Sequence, residues 1–319
     1  MAQTQDTSIE WPDGGRFALA LSHDVDRVAK RAQFPYYMGK ALCRLRPGEL
    51  RRELASLAAL ARGDDPYWNF ARIMELEGKL GVRSTLFFLD ERGKIRLTRP
   101  RTFVLYGGRY DPASPAVRDA IRGLDAGGWE IALHGSYDSY LDERLLAQEK
   151  AKLEGVLGHA VQGVRQHYLR LAAPRTWRIH ASLGLKYDST LGYADRVGLP
   201  RDPCRPFYPA DPSTGEEIPV LEIPLGIMDI VLSACRDPWS EALHCIESVE
   251  SARGVLTLDW HQRVFNPWEH HDQQGLYVRI IEECRRRRAW VAPLGEVADW
   301  WTASGYSDAG GSSSGGTTL

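Results

Sequence analysis

The chain has 319 residues, of which 43% are hydrophobic and 26% are charged, and its formal net charge is −2. This balance is typical of a soluble globular protein and gives no electrostatic reason to expect a nucleic-acid partner. The five cysteines are scattered and show no C-x-x-C spacing, which argues against a disulfide framework and against a zinc–thiolate site. Residues 1–13 contain no apolar signal-peptide core, and no apolar run is long enough to span a membrane, so we expect a cytoplasmic location.

The first predicted strand is the apolar run Phe17–Leu21, which opens after two glycines. It leads directly into His23, Asp24 and Asp26. Two aspartates two positions apart project to the same side of an extended chain, and burying both requires a cation or a shared proton. A turn in which one aspartate caps the next helix is the alternative interpretation.

A basic segment follows, with nine Lys and Arg against two Glu between residues 27 and 62. Its leucines recur at helical spacing, at Leu50, Leu54, Leu57 and Leu60. One interpretation is a helix that packs through its leucine face and leaves a basic face in water. The other is a surface for an anionic partner, such as membrane lipid or a phosphate-linked substrate.

The rest of the chain alternates between predicted helices and strands, a pattern that indicates a parallel sheet. The helices are expected at 67–80, 115–126, 143–157, 174–183, 241–252, 275–287 and 294–302. The strands are expected at 84–89, 129–133, 185–190, 221–225, 254–261 and 289–292, with a further short strand leading into Gly163. Residues 192–217 are rich in Pro, Gly and Asp, which predicts a long loop or lid.

Polar side chains stand at the ends of four predicted strands, and in a β/α barrel such ends meet on one face. We therefore predict one barrel domain at 15–305, with a basic helical insertion at 27–66. A flexible N-terminus at 1–14 and a disordered Gly/Ser-rich tail at 306–319 would flank it. The converging side chains are Asp24 with Asp26, His134 with Asp138, Arg165 with His167, and His261.

An ordered set of motifs makes the chain resemble the polysaccharide deacetylase superfamily, whose members share the NodB homology domain. The motifs are S-H-D-V-D, S-T-L-F-F-L, E-I-A-L-H-G-S-Y-D, G-V-R-Q-H-Y, K-Y-D-S-T and L-D-W-H, and the resemblance covers about residues 17–301. It implies an α/β fold, a distorted (β/α)7 barrel. It also implies one divalent metal ion. Zinc is the expected ion, with iron, cobalt or manganese as alternatives.

The resemblance implies a metal site built on Asp26 and His134. The family's H-x-x-x-H motif has here become His134-x-x-x-Asp138, so Asp138 is the expected third ligand, and His167 and His23 are the alternatives. A second carboxylate would shift the preference of the site from zinc toward harder ions.

The resemblance also implies three catalytic residues. Asp24 would be the base that takes a proton from water, Arg165 would orient and balance that base, and His261 would donate a proton to the leaving amine. Arg165 could instead be a plain buried ion-pair partner, and His261 a core histidine.

Three aromatic residues and one aspartate are candidates for supporting roles. Tyr137, Trp260 and Trp268 could form a stacking wall for a sugar ring, although large aromatic side chains usually belong to the core. Asp188 could support the site or could simply form a turn.

The function implied by the resemblance is metal-dependent removal of an N-acyl group, most simply acetyl, from an amino sugar or glycoconjugate intermediate. The alternatives are hydrolysis of small cyclic or linear amides, and a non-catalytic domain that binds glycan or a protein partner. The basic residues 27–62 would suit a phosphate-linked or membrane-apposed substrate. The sequence specifies neither the sugar nor the oligomeric state.

Overall fold

The computed structural model describes residues 9–31, 33–43, 47–95, 98, 102, 106–201, 204–267, 269–270 and 272–306. Among these residues, no helix is both long and apolar enough to cross a membrane. The helices are α1 Phe34–Cys43, α2 Pro47–Ala61, α3 Phe70–Leu80, α4 Pro115–Ala126, α5 Glu143–Leu157, α6 Arg175–Ser182, α7 Asp229–Leu232, α8 Pro238–Ala252, α9 Gln273–Arg286 and α10 Leu294–Ser304.

Nine strands of the described residues form one parallel sheet. They are β1 Phe17–Val25, β2 Thr85–Leu89, β3 Glu130–Gly135, β4 Gly163–Gln166, β5 Tyr187–Asp188, β6 Leu221–Glu222, β7 Ile227–Met228, β8 Val255–Asp259 and β9 Ala289–Pro293. Their order is β6-β5-β4-β3-β2-β1-β8-β7, and β9 also pairs with the first half of β1. In the described residues β6 and β7 are the edges of a curled half-barrel. The predicted distorted β/α barrel is therefore confirmed.

Strand β1 lies at the centre of this sheet and is buried along its whole length. Its alternate residues face opposite sides, as the pleat of a strand requires. Leu19 and Leu21 pack with the outer helices, whereas Ala18 and Ala20 pack inside the barrel. Asp24 continues the inward series above the alanines, so the same alternation that builds the core also aims this carboxylate at the mouth of the barrel.

Two helices have the bounds that the sequence predicts, and both begin after a residue typical of an N-cap. Helix α4 begins at Pro115 after Ser114, whose extended backbone is typical of an N-cap. Helix α5 begins after Asp142, whose carboxylate accepts a hydrogen bond from the Leu145 N–H at 3.0 Å. Strand β5 is shorter than predicted, because Asp188 accepts a hydrogen bond from the Thr190 N–H at 2.9 Å and turns the chain.

The N-terminal part of the described chain is packed, in contrast to the flexible segment predicted through Gly14. Ile9 and Trp11 are both buried. The Trp11 indole stacks near Trp300 with ring centroids 4.4 Å apart, and its Nε1–H donates to the Arg253 carbonyl at 3.0 Å. Residues 1–8 and 307–319, which hold the rest of the predicted flexible N-terminus and Gly/Ser-rich tail, lie outside the described residues.

Helix α2 buries its polar side and not its leucine side, in contrast to the first interpretation of the basic segment. Its buried residues are Glu53, Ser56 and Ala59. Leu54 and Leu57 are 50% and 44% exposed. The expectation that this helix packs through its leucine face is therefore wrong, because its polar face is held by ionic contacts with the rest of the protein.

The long loop predicted at 192–217 is confirmed for its described residues. Phe207 and Ala210 form single isolated bridges, to Glu222 and Glu217 respectively, and no strand or helix forms among the described residues of the segment. A role as a lid stays a prediction.

Candidate metal and acid–base site

The ends of β1, β3 and β4 bring together one carboxylate and two imidazoles. Asp26 Oδ1 lies 3.4 Å from His134 Nε2 and 3.5 Å from His167 Nε2. All three residues are buried, and one donor atom from each lies within 4.8 Å of the others. Such spacing is suited to a single ion held between the three side chains.

The donor atoms of this cluster are suited to a divalent cation. Asp26 Oδ1 and His134 Nε2 are buried and have no hydrogen-bond partner among the described residues. His134 Nδ1–H donates to the Arg165 carbonyl at 2.8 Å, which directs Nε2 toward the carboxylate. Burial lowers the pKa of His167 to about 3, so this imidazole is neutral at physiological pH and has a lone pair to offer.

Arg263 binds the other oxygen of Asp26, Oδ2. Burial alone would raise the pKa of Asp26, but the charges of Arg263 and His261 hold it well below the usual range. Asp26 is therefore ionised, and Arg263 leaves Oδ1 as the oxygen that faces the two imidazoles.

Asp24 forms a buried ion pair beside the cluster. Its Oδ1 lies 2.8 Å from Arg165 Nη1, and its Oδ2 lies 3.6 Å from His134 Nε2. Burial alone would raise the pKa of Asp24, but His134 and Arg165 reverse this effect and lower it. The guanidinium is fixed in turn by the Ser189 carbonyl at 3.0 Å and by the Phe87 ring at 4.4 Å. The carboxylate is thus held ionised and in one orientation.

His261 follows β8 and is held by two buried carboxylates. Its Nδ1–H donates to Asp229 Oδ1 at 2.8 Å, and Nδ1 lies 3.6 Å from Asp259 Oδ2. Burial alone would lower the pKa of His261, but the charges of Asp229 and Asp259 raise it to about 10. Its Nε2 lies 3.6 Å from Asp26 Oδ2, so a protonated imidazole faces the cluster.

Three solved structures resemble this fold over nearly the whole chain. The first is described as a polysaccharide deacetylase from Mycobacterium smegmatis; it is 19% identical, with a TM-score of 0.60, and the match covers 93% of this chain and 94% of that one. The Puue allantoinase is 17% identical, with a TM-score of 0.60 and 93% of each chain covered. A protein described as a polysaccharide deacetylase from Pseudomonas aeruginosa PAO1 is 17% identical, with a TM-score of 0.59, and the match covers 93% of this chain and 94% of that one.

This chain has the polysaccharide deacetylase fold. No protein-family model matches its sequence, and no curated protein matches it. At these identities the likeness establishes the fold, and the function has to be argued from the site.

Within the deacetylase fold, Asp138 lies apart from the cluster, in contrast to the ligand role predicted from the sequence. Its side chain is 57% exposed, accepts a hydrogen bond from the Tyr106 hydroxyl at 3.0 Å and lies 3.8 Å from Arg170. The short 3-10 turn at Ser139–Leu141 carries the chain away from His134. His167, which the sequence offered together with His23 as an alternative third ligand, occupies the place expected for Asp138.

His23 and Trp260 face away from the site, and their predicted site roles are corrected accordingly. His23 Nδ1–H donates to the Trp260 carbonyl at 2.6 Å, and its Nε2 lies 2.9 Å from Glu77 Oε1. Trp260 is fully buried against Tyr277, with ring centroids 5.5 Å apart, so it cannot stack on a substrate. Trp268 lies outside the described residues.

Asp188 is also separate from the cluster, but it supports the neighbouring strand. It accepts a hydrogen bond from His180 Nδ1–H at 3.1 Å, and His180 Nε2 accepts one from Gln166 at 2.9 Å. Gln166 precedes His167 in the chain, and its N–H also donates to Thr190 Oγ1. Asp188 therefore reaches the cluster indirectly, through His180, Thr190 and Gln166.

Tyr137 is half-buried and lies at the rim of the site. The Arg170 guanidinium lies 4.0 Å from its ring centroid, and the exposed Tyr168 packs edge-on at 5.7 Å. Tyr168 also lies 4.4 Å from the His167 ring. An aromatic rim is therefore present, built from Tyr137 and Tyr168 rather than from Trp260.

Three residues of the site were not predicted from the sequence: Asp229, Asp259 and Arg263. Asp259 and Arg263 are each two positions from His261, so alternation along the chain could have placed them on the same side. Asp229 follows the apolar stretch that includes β7, but nothing in the sequence links it to a histidine 32 positions away.

Glu149 of α5 lies behind the turn that follows His134, where its Oε2 accepts a hydrogen bond from the Ser136 N–H at 3.1 Å. Burial raises the pKa of Glu149 from 4.5 to about 8. Between these values the unfolded chain releases this proton while the folded chain keeps it, so folding loses stability as pH rises.

We expect Glu149→Gln to remove this loss. The variant should gain stability relative to wild type between pH 5 and pH 8, by up to about 1.4 kcal/mol for each pKa unit of the shift. Urea unfolding of both proteins at the two pH values measures this gain. A stability difference that is the same at both values would contradict the assignment.

Proposed function

We propose that the chain is a divalent-metal-dependent hydrolase that removes an N-acyl group, in the simplest case acetyl, from an amino sugar or glycoconjugate. The observation that carries the proposal is the buried triad of Asp26, His134 and His167. Its donor atoms converge, and an ionised carboxylate and a protonated imidazole lie beside them. The match in fold to two proteins described as polysaccharide deacetylases supports it.

Asp26, His134 and His167 are the residues that would hold the ion. One carboxylate and two imidazoles favour zinc, with iron, cobalt and manganese as alternatives. When bound, the ion would supply an activated water and would polarise the acyl oxygen.

Asp24 is the proposed base. Arg165 occupies its Oδ1 and leaves Oδ2 on the side of the triad, where it can accept a proton from an attacking water. The lowered pKa of Asp24 keeps the carboxylate ionised at neutral pH.

His261 is the proposed acid. Asp229 accepts its Nδ1–H, so the proton on Nε2 points toward the site. With a pKa of about 10 the imidazole keeps that proton at neutral pH and can deliver it to the leaving amine, which would otherwise depart as a poor anion.

A cavity of about 300 Å³ shares Arg263 with the site and could receive part of the substrate. Tyr37, Tyr67 and Arg263 contribute to its walls, and Arg263 also binds Asp26. Aromatic faces and a guanidinium are groups that can bind the face and the hydroxyls of a sugar ring.

Release of acetate tests the proposal. We expect the protein loaded with zinc, cobalt or manganese to release acetate from an N-acetylglucosamine oligomer or a nucleotide-linked N-acetyl sugar. Asp24→Asn should lower the turnover rate by about 10²–10⁴-fold, because the proton acceptor is lost. It should keep its metal, because Asp24 is not one of the three donors.

An exposed aspartate, Asp119, provides a control, since Asp119→Asn should leave the rate unchanged. Equal rates for wild type and Asp24→Asn would refute the role of the base. Loss of the metal from Asp24→Asn would mean that Asp24 is itself a ligand.

The second candidate function is hydrolysis of a small cyclic amide. The observation in its favour is that the Puue allantoinase matches this chain with the same TM-score as the first deacetylase-like structure. Allantoin and simple cyclic amides, offered to the same metal-loaded protein, separate the two functions. Turnover of these compounds without acetate release from N-acetyl sugars would favour the second candidate.

A further inference from the structure

Helices α1 and α2 present an apolar surface to solvent. Leu54 and Leu57 lie one helical turn apart on the outer side of α2, and Tyr36 and Leu42 of α1 are each 55% exposed. A surface helix of a globular protein ordinarily buries such an apolar stripe against the core. The arrangement here therefore indicates a contact that the isolated chain does not supply.

Buried ionic contacts fix α2 in this orientation. Lys30 is fully buried and its Nζ lies 2.9 Å from Glu53 Oε2 on the inner side of α2. Lys30 and Ser56 both bind the carboxylate of Glu269. Turning the helix to bury its leucines would take Glu53 away from Lys30 and Ser56 away from Glu269, so the buried pair of Lys30 and Glu269 would lose two polar contacts. The outward direction of the leucines is thus built into the fold.

Positive charge predominates on this surface, where the half-buried Glu49 is the one described acidic side chain of the helix pair that is not buried. Among the described side chains between residues 31 and 62, the charged groups that are exposed are all arginines, at Arg31, Arg51, Arg52 and Arg62. Glu53 is buried. Leucine and tyrosine beside arginine are the side chains with which interfacial helices bind anionic lipid, because the apolar groups insert while the guanidinium groups meet phosphates.

We propose that the α1–α2 surface docks the protein on a membrane that contains anionic phospholipid. A second copy of the chain is a poorer occupant, because a two-fold contact through this surface would bring arginines close to arginines. The cavity that shares Arg263 with the site is walled by Tyr37 and Arg52 of the helix pair, so a docked membrane would lie beside this cavity. The proposal does not depend on the reaction that the site performs.

Cosedimentation of the full chain with vesicles tests this docking. We expect binding to vesicles of phosphatidylcholine mixed with phosphatidylglycerol in equal parts, and little binding to phosphatidylcholine alone. Leu54→Ser/Leu57→Ser should weaken binding at least about tenfold, because two apolar side chains no longer insert. Arg51→Gln/Arg62→Gln should weaken it about fivefold for each arginine and should reduce its salt dependence.

Ile95→Ser is the matched control, because Ile95 is 42% exposed but lies outside the helix pair, and its binding should equal that of wild type. All four substituted leucines and arginines are exposed, so the unfolding midpoints should stay at the wild-type value. Absence of binding to the mixed vesicles would overturn the proposal, as would binding that survives both double substitutions. A dimer that Leu54→Ser/Leu57→Ser converts to monomer in sedimentation velocity, without vesicle binding, would assign the surface to a second copy instead.

Discussion

His134→Ala and His167→Ala should each lose the bound divalent ion, whereas Asp138→Ala should keep it. Wild-type protein purified without chelator should carry about one ion per chain by elemental analysis. Each histidine supplies a buried nitrogen that faces Asp26 Oδ1, at 3.4 Å for His134 and 3.5 Å for His167. Even outer groups that only orient a ligand typically change metal affinity about 10–100-fold, so loss of a ligand should exceed that range.

The controls for this experiment separate the competing ligand sets. His159→Ala removes an exposed histidine that is paired with Asp125, and it should retain the full metal content. Loss of metal from Asp138→Ala, with retention by His167→Ala, would restore the ligand set first expected from the sequence. Wild-type protein that stays free of metal after incubation with zinc, cobalt and manganese would refute the hydrolase and favour a binding domain.

Glu77→Ala should lower the free energy of unfolding by about 3–5 kcal/mol, the range typical of breaking a buried charge pair. The Glu77 carboxylate is fully buried behind β1, where four donors converge on it. Its removal leaves these donors without a partner and without access to water. The donors are His23 Nε2 at 2.9 Å, Ser84 Oγ at 2.9 Å, Trp129 Nε1 at 2.7 Å and Tyr277 Oη at 2.6 Å.

Urea denaturation measures this loss, and the same helix offers a control. Glu75 is exposed and, within the part of the chain that the structure describes, forms an ion pair only with Lys79, one turn away, so Glu75→Ala should leave the unfolding midpoint unchanged. Glu77→Ala should also keep its metal content, since Glu77 lies on the opposite side of β1 from Asp24 and Asp26. Equal effects of the two substitutions would show that the buried network contributes little to stability.

The alternation of side chains along a strand is sufficient to predict the orientation of several site residues. Applied to β1, it places Asp24 and Asp26 on one side and His23 on the other, as observed. Applied to the end of β8, it places His261 with Asp259 and sends Trp260 into the core. These outcomes follow from the period of two, a local property that a sequence contains in full.

Turn geometry and long-range pairing are what the sequence could not supply. Whether Asp138 or His167 approaches Asp26 depends on the path of two turns that follow adjacent strands, and no local rule fixes that path. The outward leucines of α2 depend on Lys30 and Glu269, which are separated by 239 positions in the chain. An amphipathic pattern therefore located this helix correctly but did not determine which of its faces would be buried.

The two arginines of the site have a consequence for how the protein acquires its ion. Arg165 neutralises Asp24 and Arg263 neutralises Asp26, so the buried carboxylates have cationic partners before any metal arrives. Many small metal-binding domains fold only once the ion is bound, because metal binding supplies the stability that the chain lacks without it. Here folding and metal loading would be separate events. One divalent ion could then replace another in the folded protein, and the supply in the cell, rather than the folding pathway, would decide which ion is bound.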